Sequence, residues 1–144
     1  NPNAAPTDFM KLAEIYVNKA KKDPAKKVEN IDKAIGVYAK LAEKYPTLKP
    51  FAKLQEGNTA FQNELDDKAI AAYTEVINEL EAKQCDEDEL SYLKTSYQYM
   101  GFIYTYDKQD FDTAKPYWDK LLKLDPQNKL ANDAYEKAGL KPGE

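Results

Sequence analysis

Apolar residues recur at three- and four-residue intervals in three long segments of the chain. Ile31, Ala34, Ile35, Tyr38, Leu41, Ala42 and Tyr45 form one such series. Leu65, Ala69, Ile70, Tyr73, Val76, Ile77 and Leu80 form a second, and Phe111, Ala114, Tyr117, Trp118, Leu121 and Leu122 a third. This spacing draws one apolar stripe along a helix and leaves the opposite face to water. No comparable run alternates with the two-residue period of a strand, and the residue pairs of tight β-hairpins are missing. The pattern predicts an all-α protein.

Caps and breakers place the boundaries. Thr7 or Asp8 opens a first helix that runs to about Lys22. Asp23 and Pro24 read as the N-cap and first turn of a second helix, which stops before Pro46. A third helix is expected from about Phe51 to Asn63, and a fourth from about Asp66 to Lys83. Asp86 to Glu89 start a fifth helix ending near Tyr106, with Asp86 and Glu89 as a capping box. A sixth covers about Phe111 to Leu124 before Asp125-Pro126. Pro116 within it predicts either a kink or a later start to the regular turns. A short seventh, about Lys129 to Ala138, ends at Gly139, a natural left-handed C-cap.

The stripes are copies of one another. Ala34-x3-Tyr38-x2-Leu41-x4-Pro46 recurs as Ala114-x3-Trp118-x2-Leu121-x4-Pro126. Ala69-x3-Tyr73-x2-Val76 matches as well, with Glu81 where the proline would stand. Ala34 and Ala69 are 35 residues apart, and Ala69 and Ala114 are 45 apart. Ahead of the stripes, Tyr97-x2-Met100-Gly101-x2-Tyr104 is echoed by Phe9-x2-Leu12-Ala13-x2-Tyr16, whereas the middle copy keeps Gly57 between Lys53, Glu56 and Ala60. These spacings resemble the tetratricopeptide repeat, whose period is about 34 residues. The resemblance covers about residues 7 to 127. It implies a right-handed α-solenoid of antiparallel helical hairpins, a TPR-like superhelix, closed by a short C-terminal capping helix.

On this reading residues 1–144 form one domain. A linker (1–6) precedes repeat 1 (7–49) and repeat 2 (50–83). An insertion (84–93) lengthens the neighbouring helices, repeat 3 occupies 94–127, and a capping helix and tail fill 128–144. Each hairpin needs its neighbours to bury its apolar face. Leu130, Ala134, Tyr135 and Ala138 are expected to cover the third repeat, and the N-terminal edge stays open.

Composition narrows the functional classes. Hydrophobic residues make up 42% of the 144 and charged residues 32%, ordinary values for a folded domain. A net charge of −4 shows no electrostatic footprint for nucleic acid. No apolar run approaches the ~20 residues that span a bilayer. The chain begins at Asn1 with a coil-like lead to Pro6, so an upstream segment is expected to have been removed. The chain then reads as soluble, either cytoplasmic or exported.

The sequence holds no histidine, which excludes His-based triads, His metal sites and imidazole acid–base pairs. There is no glycine-rich phosphate loop. Cys85 reads as an incidental thiol, and the following acids as a helix start rather than a calcium loop. Lysines at 19, 21, 22, 26 and 27 read chiefly as a solvated face, with a basic patch for an acidic partner as the other option. No catalytic residue, metal ligand or cofactor is expected.

The resemblance also implies where a partner would lie. In this family the first helix of each hairpin lines a concave groove that holds peptides or single helices. Projected onto this chain, that lining comprises Met10, Glu14 and Val17, then Leu54, Asn58, Phe61 and Gln62, then Gln98, Phe102, Thr105 and Tyr106. One subgroup of the family grips a chaperone's C-terminal carboxylate; here Met10, Glu14, Gln55, Thr95 and Tyr99 stand at most of the required positions, with Asn58 alone suitable. The resemblance therefore implies a non-catalytic module that scaffolds an assembly by binding a protein or peptide, with Phe61, Phe102 and Tyr106 as anchors. The other option is that these aromatics pack between hairpins. A second reading makes the chain a spacer or an oligomerisation segment that stacks through its N-terminal edge.

Overall fold

A computed structural model describes residues 2–143 and shows seven α-helices and no strand among them. They are α1 (Pro6–Lys22), α2 (Lys27–Lys44), α3 (Lys49–Gln62), α4 (Asp66–Leu80), α5 (Glu87–Phe102), α6 (Phe111–Leu124) and α7 (Lys129–Lys137). No helix among the described residues is long and apolar enough to cross a membrane. Consecutive helices pack in adjacent pairs, so the fold class is the all-α helical-repeat, or α-solenoid, class.

Several helix starts fall earlier or later than the caps suggest. Proline at the first helical position lacks an N–H that would need a partner, so α1 opens at Pro6. Asp8 sits two residues inside, and its carboxylate accepts the Ala5 N–H at 2.8 Å. Asp23 makes no side-chain cap. Its carbonyl instead accepts the Lys26 N–H at 2.9 Å, so Pro24–Lys26 form a 3-10 turn and α2 begins at Lys27. Tyr45-Pro46 repeats this chemistry: the Leu48 N–H bonds to the Tyr45 carbonyl at 2.8 Å, and α3 begins at Lys49, not Phe51. α4 stops at Leu80, short of Lys83. The α5 cap is as expected: Asp86 accepts from the Glu89 N–H at 2.8 Å, and Glu89 accepts from the Asp86 N–H at 3.1 Å. Pro116 lies within α6, whose turns are regular from Phe111.

Contacts divide the chain into two compact units, residues 1–76 and 77–144, where the sequence reading drew one domain. Hairpins that touch only their sequence neighbours produce such a division, which here falls inside α4.

In the first unit Ala13, Ala34 and Leu41 are fully buried, and Phe9, Tyr16 and Tyr45 pack around them. Gly57 lets α3 lie against the Tyr73 ring: a Cβ there would stand 2.6 Å from Tyr73 Cε1. Lys53 and Glu56 replace the aromatic and leucine of the better repeats. Lys53 pairs with Glu56 at 3.2 Å and with Glu75 at 3.0 Å, although Glu56 is only 5% exposed.

In the second unit Tyr97, Met100, Trp118, Leu121 and Tyr135 form the core. Gly101 plays the part of Gly57, with Trp118 against it. Glu81, standing in the proline position, accepts from the Tyr97 hydroxyl at 3.0 Å and pairs with Lys120 at 2.5 Å. The bond from Lys120 holds the Glu81 carboxyl below its ordinary range. Residues 103–107 wind as a π-turn, with the Lys108 N–H bonded to the Ile103 carbonyl at 2.9 Å. α7 closes as expected: Gly139 adopts φ 72°, and the Leu140 N–H reaches back to the Tyr135 carbonyl at 3.0 Å.

Candidate functional site

One face of α1 and one face of α3 border an open trough of about 470 Å³ in the first unit. Thr7, Met10, Lys11, Glu14 and Val17 follow the helical repeat along one wall. Gln55, Asn58, Thr59 and Gln62 follow it along the other, and Tyr38 of α2 forms the floor. The small Ala13, fully buried, lets α1 settle against α2 and leaves the Met10–Val17 face free.

Hydrogen bonding orients the trough's polar groups. The Tyr73 hydroxyl donates to Asn58 Oδ1 at 2.7 Å. That bond holds the amide oxygen of a residue that lines the trough. Burial pushes the Tyr38 phenol above its ordinary value, opposed by its bond with the Thr59 side chain. Only Lys11 and Glu14 are charged among the lining residues, so the trough is close to neutral.

Five of the groove residues expected from sequence therefore meet here: Met10, Glu14, Val17, Asn58 and Gln62. Leu54 does not line the surface; at 6% exposure it belongs to the core, because it sits on the inward side of α3. Phe61 is half-buried and lies outside the trough. The other lining residues, Thr7, Lys11, Tyr38, Gln55 and Thr59, are not in the projected groove; Tyr38 belongs to the repeat pattern, and the polar series at 55, 58, 59 and 62 is the signal for Gln55 and Thr59.

The second unit places its four residues differently. The Phe102 and Tyr106 rings lie 4.8 Å apart, and Lys137 stands 4.8 Å over the Tyr106 ring. Thr105 is 7% exposed and accepts from Trp118 Nε1 at 2.8 Å, so its hydroxyl is engaged within the core. Gln98 Oε1 accepts from Asn128 Nδ2 at 3.0 Å, tying α5 to the N-cap of α7. Thr105 also borders a smaller hollow of about 310 Å³, with Phe111, Ala134 and Lys137.

Among the described residues no group of three or more His, Cys, Asp or Glu side chains is placed to hold a metal ion. The Cys85 thiol donates to the Leu80 carbonyl at 3.3 Å, and burial raises it above the ordinary thiol range.

The family model of the tetratricopeptide repeat matches residues 9–47, the first hairpin and the turn that follows it. Over those residues the chain is similar to the tetratricopeptide repeat. Among curated proteins and among solved structures, nothing matches the chain. Tetratricopeptide repeats are, in general, non-catalytic modules for protein–protein interaction; of the trough's lining, Met10, Lys11, Glu14, Val17 and Tyr38 lie within the matched residues, and the α3 wall lies outside them.

Proposed function

We propose that this protein is a non-catalytic scaffold that holds an extended, largely uncharged segment of a partner in the α1–α3 trough. The observation that carries this reading is the oriented Asn58 amide beside apolar Met10, Val17 and Tyr38. An extended segment offers a backbone carbonyl to the amide and an apolar side chain to the wall, the combination through which peptide grooves supply affinity and specificity. With one Lys and one Glu in the lining, binding depends little on salt.

Peptides selected by display on the full chain, then measured by fluorescence anisotropy, test this. Asn58→Ala and Met10→Ala are each expected to weaken binding about tenfold, or roughly 1.4 kcal/mol. Far-UV circular dichroism checks that both variants keep their helicity. Selected peptides that bind both variants as tightly as the parent chain would refute the trough.

A further inference from the structure

A different face of α1, well away from the trough, carries a polar-to-apolar-to-basic stripe. Asp8, Leu12, Ile15, Lys19 and Lys22 follow one another at three- and four-residue steps, which places them on one side of the helix. Leu12 is 42% exposed and Ile15 50% exposed, although Leu12 occupies a repeat position that is buried as Met100 in the third repeat. Beyond them the charge is positive. Lys19, Lys22, Lys26 and Lys33 surround a hollow of about 330 Å³ between the end of α1 and the start of α2, with Asp23, Glu29 and Asn30.

The lysines differ in how they are engaged. Lys33 pairs with Glu29 at 3.3 Å, and Lys19 and Lys33 both stand within 6 Å of the Tyr16 ring centre. Neither Lys22 nor Lys26 carries an ion pair among the described residues. Asp23 and Glu29 leave the hollow with a surplus of two positive charges.

We infer that the outer face of the α1–α2 hairpin docks an amphipathic helix of a partner that is leucine-like at one end and acidic at the other. Leu12 and Ile15 take the apolar turn. Lys22 and Lys26 take the carboxylates, which lie about 10 Å further along, since seven residues of helix span that length. Charge complementarity selects this occupant over a plain apolar helix: the unpaired ammonium groups cost little in water, but beside a neutral helix they lose hydration without return. The same arithmetic sets the orientation, because a helix laid the other way puts its acids on Leu12 and Ile15 and near Asp8. This face is independent of the trough and calls for the opposite salt dependence.

The test uses the full chain and two labelled synthetic helices. One carries leucines at i and i+3 with glutamates at i+7, i+10 and i+11; the other carries lysines in place of the glutamates. The glutamate helix is expected to bind at least tenfold tighter at low salt and to lose that margin at high salt. Lys22→Glu with Lys26→Glu is expected to reverse the preference toward the lysine helix. Ile15→Ala is expected to weaken the glutamate helix about tenfold with its salt slope kept. Ile15, Lys22 and Lys26 are all solvent-exposed, and circular dichroism checks that each variant keeps its helicity. Equal affinity for the two helices, or no reversal in the double variant, overturns the proposal. So does a concentration-dependent dimer in sedimentation that Lys22→Glu and Lys26→Glu dissolve, since the occupant would then be a second copy of this chain.

Discussion

Replacing Gly101 with alanine separates close packing from helix propensity, because the two effects have opposite signs. The added Cβ would lie 2.6 Å from Cδ2 and Cε2 of Trp118, inside van der Waals contact. Trp118 is fully buried, and its Nε1 donates to Thr105 at 2.8 Å, so the indole cannot swing aside without loosening that bond. Overpacking of this kind costs about 1–3 kcal/mol. Replacing a mid-helix glycine by alanine returns about 1 kcal/mol of propensity. The net expectation is a loss of about 0–2 kcal/mol, which lowers Tm by up to roughly 8 °C in a chain of this size. Gly36→Ala is the matched control: it is also mid-helix, but no atom stands within 4 Å of the new Cβ. That variant is expected to gain about 0.5–1 kcal/mol. Urea unfolding followed by circular dichroism gives both numbers, and the fluorescence of the sole tryptophan reports the Gly101 site directly. A Gly101→Ala chain that is as stabilised as Gly36→Ala would show that the α5–α6 approach is not limited by the indole.

Three further substitutions test separate contacts. Thr105→Val leaves the buried Trp118 N–H without an acceptor and is expected to cost about 1–3 kcal/mol in urea unfolding, with Thr105→Ser recovering most of it. Asp86→Ala removes the α5 cap and is expected to cost about 1 kcal/mol, whereas Asp86→Asn costs less. Burial raises the Glu56 carboxyl above its ordinary value of 4.5, with Lys53 opposing the shift. A raised carboxyl contributes stability below pH 4.5 that is lost as pH climbs through the folded value, so Glu56→Gln should gain on the parent chain between those points; a constant difference across that range would contradict the assignment.

Helices were legible because their signals are local. The 3.6-residue period, the Asp86–Glu89 box and Gly139 all act within one or two turns, and each works as read. The misreadings share another cause. Asp-Pro and Tyr-Pro pairs lower the cost of a first helical turn, but they do not say whether that turn is α or 3-10; the carbonyls of Asp23 and Tyr45 decide it. The π-turn at 103–107, which contains the Thr105 hydroxyl bonded to Trp118, has no comparable local signal in the sequence. Of the candidate site, the residues on the exposed arc of α1 could be projected from a repeat pattern. Leu54 could not, because a shift of about one residue around α3 exchanges groove for core.

The middle repeat shows how far a repeat can drift while its hairpin is kept. Leu12, Glu56 and Met100 hold one repeat position, and their exposures are 42%, 5% and 1%. At Met100 the position is filled by apolar packing; at Glu56 it is filled by a carboxylate that Lys53 partly neutralises, with Glu75 balancing the lysine. Buried pairs are poor sources of stability compared with apolar contacts of the same volume, yet removing one partner is costly. Losing Lys53 or Glu56 alone is therefore costlier than replacing the pair by apolar residues, and a side chain at Gly57 would meet the Tyr73 ring. Leu12 has neither solution: it stays 42% exposed, and no charge replaces it. An exposed leucine at a position built for burial, continuous with unpaired lysines on the same helix face, is the feature that most distinguishes this hairpin from its two relatives in the chain.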